Sequence, residues 1–120
     1  MIRTLAPALV LCMGCAALPL REAPPTIPVT VRSHNRSDVD VYLLCGDRDA
    51  EWLGVVREHG ADQFEIPRSR STCVLGLNFF LVSRTQNRGY WVGPLHPEAG
   101  TNIALIIEKY AGLSSARVYW

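Results

Sequence analysis

The run Cys73-Val-Leu-Gly-Leu-Asn-Phe-Phe-Leu-Val-Ser83 is the longest stretch of strand character in the chain. Successive side chains of a β-strand point to opposite faces of its sheet. From Cys73 to Leu81 one face of this run holds apolar side chains only: Cys73, Leu75, Leu77, Phe79 and Leu81. The other face is mostly apolar as well. The run therefore predicts a central strand of a packed sheet, and the remaining strands are arranged around it.

Seven further segments alternate apolar and polar side chains as half-buried strands do. They span residues 27–32, 38–45, 52–58, 63–67, 90–93, 103–108 and 116–120. Turn-forming residues separate the segments at roughly the eight- to twelve-residue spacing of sandwich proteins. The sequence therefore predicts an all-β fold, an antiparallel β-sandwich of seven to eight strands over residues 27–120. A closed barrel stays open as the alternative, because periodicity does not reveal which strands pair.

Two local features add detail to this prediction. The first two segments are joined by a turn at residues 33–37 and are expected to form a hairpin. The facing of the third segment stays open, because Val55 and Val56 are both apolar and Gly54 favours a bulge.

Several short motifs resemble those of small sandwich domains in uncharacterised bacterial lipoproteins, of immunoglobulin-like or transthyretin-like type. They are Val29-Thr30-Val31 leading to Val41-Tyr42, the pair Leu53-Gly54, the run Phe64-Glu65-Ile66-Pro67, and Gly100 before a long apolar strand. The resemblance covers residues 27–120. It implies a sandwich fold and no activity.

Length and charge narrow the class of protein. The chain has 120 residues, which is enough for one domain, and a formal net charge of +1. Nucleic-acid binding usually needs a basic face, and no long run of one charge is present. No nucleic-acid partner is therefore expected.

The N-terminus has the anatomy of an export signal. Arg3 provides a positive charge, and residues 5–13 form an apolar region too short to span a membrane. The pair Gly14-Cys15 resembles the lipobox of bacterial lipoproteins, in which the signal is cut before a cysteine that carries acyl chains. Cys12 departs from the pattern, because the lipobox usually has Leu at that position. We predict a signal peptide over residues 1–14.

The predicted mature chain begins with lipidated Cys15 and a Pro-rich tether over residues 15–26. Its expected location is the bacterial cell envelope, where the lipid on Cys15 anchors it to a membrane. Cleavage near Ala16 or Ala17 is the alternative, and it would release a soluble periplasmic or secreted protein.

Two cysteines remain after Cys12 and Cys15 are accounted for. Cys45 and Cys73 both lie on the apolar faces of predicted strands, and an oxidising compartment favours their pairing. We predict a disulfide between them. In the chain-entropy model, closing a loop of this size stabilises the folded state by about 3.6 kcal/mol. Buried free thiols are the alternative.

The sequence offers little for catalysis or metal binding. His34, His59 and His96 lie in predicted turns without the spacing of a metal site. No Gly-x-Ser-x-Gly nucleophile motif is present. No metal, no cofactor and no enzymatic activity are expected.

Aromatic side chains outside the predicted core form the candidate binding surface: Tyr42, Phe80, Tyr90 and Trp91. Tyr and Trp are favoured at protein interfaces, and aromatic rings also stack on sugars. A second candidate patch for a protein partner combines Phe80 and Val82 with Ile106. The alternative is that these rings only cover a small sandwich.

The leading functional hypothesis is an exported, membrane-anchored lipoprotein with a structural or binding role in the cell envelope. An envelope protein or a second copy of the chain is the expected partner. The alternative is a soluble secreted module that binds carbohydrate or a peptide strand.

Overall fold

A computed structural model describes residues 26–46, 49–67, 73 and 75–120. The predicted signal peptide and the predicted tether, apart from Thr26, lie outside these residues. The described residues form eight strands and one 3-10 turn. These are β1 Thr26–Ser33, β2 Val39–Cys45, β3 Glu51–Val56, β4 Ala61–Pro67, β5 Leu77–Ser83, β6 Arg88–Leu95, β7 Asn102–Ile107, the turn Ala111–Leu113 and β8 Ser115–Tyr119.

The strands form two four-stranded sheets. Sheet I has the order β4-β1-β7-β8, and sheet II has the order β3-β2-β5-β6. Neighbouring strands are antiparallel except β1 and β7, which run parallel. In the described residues the eight strands form two separate sheets, as predicted for a β-sandwich rather than a closed barrel. The predicted antiparallel arrangement holds for every neighbouring pair except β1 and β7.

The core lies between the two sheets and follows the alternation of the sequence. Each central strand sends every second side chain inward, so that burial alternates along β1, β2, β5 and β7. The fully buried large side chains are Ile27, Val29, Val31, Val39, Leu43, Ile66, Leu77, Phe79, Leu81, Ile103, Leu105 and Ile107. The opposite faces of both sheets point outward and supply the candidate surfaces.

The predicted hairpin of the first two strands is wrong. β1 belongs to sheet I and β2 to sheet II, so the connection between them crosses from one sheet to the other. The amide of Asn35 in this connection donates to the carbonyls of Glu108 and Lys109, at 3.1 and 3.2 Å. The apolar faces of the two strands therefore oppose each other across the core rather than lying side by side.

The central strand of sheet II is shorter than predicted, because it begins at Leu77 rather than at Cys73. Gly76 has a φ of +92°, and its N–H donates to the carbonyl of Cys73 at 2.9 Å. This turn leaves Leu75 70% exposed instead of in the core. Glycine enters this left-handed region without the steric cost that a Cβ imposes.

The predicted disulfide is confirmed. Cys45 and Cys73 are bonded, with their Cα atoms 5.5 Å apart. Cys45 is the last residue of β2 and pairs with Leu77, the first residue of β5. The bond therefore holds the chain entering β5 against the end of its neighbouring strand.

Candidate functional site

The outer face of sheet II carries four aromatic side chains in one row, which we call the aromatic row. Tyr42 on β2 pairs with Trp52 on β3 and with Phe80 on β5, and Phe80 pairs with Trp91 on β6. Directly paired residues of neighbouring strands point to the same face. The row therefore crosses all four strands of the sheet.

Two neighbouring pairs of rings in the row form tilted aromatic contacts. The centroids of Phe80 and Trp91 lie 4.5 Å apart with their planes tilted by 43°. Those of Tyr42 and Phe80 lie 6.4 Å apart with a tilt of 53°. Both distances are within the range of favourable aromatic pairs, which prefer tilted or offset rings to a face-to-face arrangement.

The ends of the row are more exposed than its middle. Trp52 is 55% exposed and Trp91 is 58% exposed, whereas Tyr42 and Phe80 are half-buried. Both tryptophans lie on the edge strands of sheet II. A ligand placed on the row would therefore gain most of its apolar contact from its two ends.

A glycine next to the row makes room for its central ring. A Cβ built on Gly89 would lie 2.0 Å from Cζ of Phe80. The Phe80 ring therefore rests against bare backbone of the edge strand, next to Trp91. No larger residue at this position is compatible with the observed ring.

A carboxylate borders the row and holds one of its tryptophans. Oδ1 of Asp40 accepts a hydrogen bond from Nε1 of Trp52 at 3.0 Å. Arg84 donates to the same carboxylate through Nε and Nη2, both at 3.0 Å. The Arg84 hydrogen bonds lower the pKa of Asp40 below its ordinary value, burial opposes them, and the Trp52 hydrogen bond adds to the lowering. Asp40 thus stays ionised and paired beside the row.

Three of the four predicted surface residues lie together, and Tyr90 does not. Tyr90 pairs with buried Leu81 and so faces the interior of the sandwich. Its ring lies against Gly112, where an added Cβ would be 3.1 Å from Cε1 of Tyr90. Consecutive residues of a strand point to opposite faces, so Tyr90 and Trp91 do not form one platform.

Trp52 completes the row and was absent from the predicted surface. The pairing of β2 with β3 shifts between Val41 and Tyr42, so that Val41 pairs with Gly54 and Tyr42 pairs with Trp52. Leu53 is the extra residue and packs against the core. Gly54 indicated a bulge in the sequence. Which residues of β3 face outward, however, depends on how β3 pairs with β2.

The predicted patch of Phe80, Val82 and Ile106 is not formed. Phe80 and Val82 belong to sheet II, whereas Ile106 belongs to sheet I. The outer face of sheet I also carries polar contacts, since Oγ1 of Thr26 and Nε2 of Gln63 donate to Glu65 at 2.7 and 3.0 Å. The two outer faces therefore differ in chemistry, and the aromatic face is that of sheet II.

The described residues contain neither a cluster of metal ligands nor a membrane-spanning helix. Across residues 26–46, 49–67, 73 and 75–120, no three His, Cys, Asp or Glu side chains lie close enough to hold a metal ion together. The same residues contain no helix of the length and apolarity that crossing a membrane requires.

Comparison with known proteins gives a structural neighbour and no family. No protein-family model matches the chain, and no curated protein matches it. Among solved structures, the fold is similar to the NMR structure of a protein from Eubacterium rectale, with a TM-score of 0.50 and 11% sequence identity. The match covers 82% of this chain and 92% of the other. At this identity the likeness concerns the fold alone.

Proposed function

We propose that the chain is a small exported lipoprotein whose β-sandwich acts as a binding module in the bacterial cell envelope. A lipid on Cys15 anchors it to a membrane, and the aromatic row of sheet II contacts its partner. The sandwich is of the immunoglobulin-like or transthyretin-like type that its strand motifs resemble. The module binds and does not catalyse.

The observation that carries this proposal is the exposure of two tryptophans on one sheet face. Trp52 and Trp91 are each more than half exposed, although both belong to regular strands of a packed sheet. Exposed aromatic side chains gathered on one face are typical of binding surfaces, because they remove a large apolar area from water on contact.

The tether suits this role. The predicted tether, residues 15–26, contains three of the eight prolines of the chain, and Pro-rich composition is typical of spacer segments. In this proposal the tether separates the sandwich from the lipid on Cys15, so that the face of sheet II can meet other envelope components.

Retention on washed envelope material tests the binding role. The lipidated protein, purified in detergent, is mixed with envelopes from the same host from which lipid has been extracted, and the pellet is assayed. Detergent keeps the acyl chains from inserting into the envelope material, so that retention measures binding by the sandwich. We expect Trp52→Ala and Trp91→Ala to lose most of the retention, while Trp120→Ala, which removes an exposed tryptophan outside sheet II, keeps it. Equal retention of all four proteins would overturn the binding role of the row.

Intact mass of the protein isolated from a native-type host tests the anchor. A chain that begins at Cys15 and carries acyl mass is expected, and Cys15→Ser should lack that mass. An unmodified chain that begins after Ala16 or Ala17 would favour the second candidate. That candidate is a soluble secreted module for carbohydrate or a peptide strand, which the same aromatic row would serve.

A further inference from the structure

We propose that the aromatic row binds a linear, neutral glycan of extended β-linked sugars, lying across the strands with about one sugar ring on each strand. This inference rests on the proposed binding role of the row and names the class of its ligand. Three properties of the outer face of sheet II carry it: the direction of the row, the spacing of its rings and the balanced charge along its borders.

The direction of the row matches a ligand that crosses the strands. Tyr42, Trp52, Phe80 and Trp91 are direct cross-strand partners, so the row runs perpendicular to β2 and its neighbours. A peptide that adds to a sheet lies along its edge strand, parallel to the strands, and would touch one end of the row only. A chain that contacts all four rings must lie across the sheet.

The spacing of the row suits a chain of sugar rings. Neighbouring strands of a sheet are about 4.8 Å apart, which is close to the length of one pyranose ring, and four strands give a row about 14 Å long. A four-sugar segment of an extended β-linked chain spans this length. Trp52 and Trp91 then contact the end sugars, and half-buried Tyr42 and Phe80 lie under the middle ones. The C–H groups of the sugars gain dispersion and bury apolar area against these side chains.

The aromatic part of this face is narrow along the strands. Outward side chains on one strand repeat about every 7 Å, so the aromatic strip is only one residue wide. The exposed large apolar side chains in the strands of sheet II are Trp52 and Trp91, at the two ends of that strip. Half-buried Leu44, Val55 and Val82 flank the strip on the same face and extend its apolar surface.

The borders of the row combine polar and apolar side chains, and their charged pair is balanced. Val55 and Val82 are the direct strand partners of Asp40, and Leu44 is the direct partner of Asn78. On one side Asp40 is paired with Arg84 through two hydrogen bonds of 3.0 Å, so that this pair adds no net charge. On the other side Asn78 lies two residues before Phe80 on β5 and is half-buried. A neutral ligand that is rich in hydroxyl groups at its rim and apolar on its ring faces complements this arrangement.

Titration with oligosaccharides of increasing length tests the ligand class. The probes are β-1,4-linked oligomers of glucose and of N-acetylglucosamine, two to six sugars long, added to the lipidated protein in detergent and followed by calorimetry. We expect the affinity to rise with length up to about four sugars and then to level off, since strand spacing sets the length of the row. Trp52→Ala and Trp91→Ala should each weaken binding about tenfold, and Trp120→Ala should leave it unchanged.

The outcomes separate this inference from the binding role on which it rests. If no probe binds at millimolar concentration while envelope retention still depends on Trp52 and Trp91, the glycan is wrong and a protein partner or a second copy takes its place. If probes bind equally well to both tryptophan variants, the row is not the glycan site and the inference fails. If neither retention nor any titration depends on the row, both proposals fail.

Discussion

The indole nitrogen of Trp52, on the edge strand of sheet II, donates a hydrogen bond to Asp40 on the neighbouring strand at 3.0 Å. The same carboxylate accepts two hydrogen bonds from Arg84, which follows β5. The Asp40 carboxylate, with 16% of its side chain exposed, therefore links β2 to Trp52 on β3 and to Arg84 after β5. Because Trp52 is itself more than half exposed, this contact is what orients its ring within the row.

Replacing Asp40 by Asn should flatten the pH dependence of stability. The hydrogen bonds from Arg84 lower the pKa of Asp40 in the folded protein, so its contribution to the free energy of unfolding is present above the unfolded pKa of about 3.9 and is lost as pH falls through the lower folded pKa. Urea unfolding between pH 2 and 5 measures this. The pKa of Glu65 is lowered by hydrogen bonds from Thr26 and Gln63. Both proteins keep Glu65, so its contribution to the pH dependence cancels when they are compared. Identical pH profiles for wild type and Asp40→Asn would contradict the prediction.

Gly89→Ala should displace the Phe80 ring and disrupt the row. The added methyl would overlap the Phe80 ring, which must then move away from Trp91. Because the ring is half-buried, the expected cost is about 1 kcal/mol, the low end of the values for overpacked cores. We expect a lower free energy of unfolding and weaker retention on envelopes.

A double-mutant cycle with Phe80→Ala separates this clash from a general effect of alanine on β6. The cost of Gly89→Ala should largely disappear once Phe80 is truncated, because the clashing atoms are then gone. An unchanged cost in that background would mean that the ring is not the cause.

Loss of the Cys45–Cys73 disulfide should destabilise the sandwich. The bond joins residues separated by 28 positions, and removal of such a bond typically costs about 2–5 kcal/mol. We expect Cys45→Ala and Cys73→Ala to lower the free energy of unfolding by similar amounts, and their double variant to cost little more than either one. Chemical unfolding of the three variants measures this, and the wild type in reductant should match them. Strictly additive losses would contradict a shared bond.

Asn35→Ala should be among the costly polar substitutions in the described residues. The Asn35 side chain is 5% exposed, its oxygen accepts from the amide and hydroxyl of Ser37, and its nitrogen donates to the carbonyls of Glu108 and Lys109. Leaving these groups without a partner should cost about 2–3 kcal/mol.

Ser114→Ala is the matched control for Asn35→Ala. Its hydroxyl accepts one hydrogen bond, from the amide of Glu108 at 2.9 Å, at the same end of β7. A loss of about 1 kcal/mol is expected, because a single bond is removed. If thermal or urea unfolding gives equal losses for the two variants, the hydrogen bonds of Asn35 do not hold the β1–β2 connection to the end of β7.

The strands and the core were readable from the sequence because the alternation of side chains is local. Val29, Val41 and Leu105 each belong to a strand in which every second side chain is apolar, and all three are buried. The disulfide was predictable for a similar reason, since only two cysteines lie on apolar faces of the predicted strands and an oxidising compartment would favour their pairing. Turn residues were less informative: the turn at residues 33–37 looked like a hairpin but connects the two sheets.

The candidate site could be predicted only in part. Tyr42, Phe80 and Trp91 stood out because each is an aromatic residue at an outward position of an alternating strand. Tyr90 was included although its position faces inward, where its ring lies against Gly112. Trp52 was missed because its facing depends on a bulge whose position is set by pairing with β2.

The sequence by itself determined which segments are strands, which side chains are buried in regularly alternating strands such as β1 and β7, and which cysteines pair. These properties depend on alternation along one strand and on the number of cysteines available. Only the tertiary structure decided that Trp52, Tyr42, Phe80 and Trp91 form one row, and that Ile106 lies on the other sheet. The reason is physical: strand pairing and register arise between segments distant in the chain, and one residue of bulge or slip turns a side chain to the opposite face.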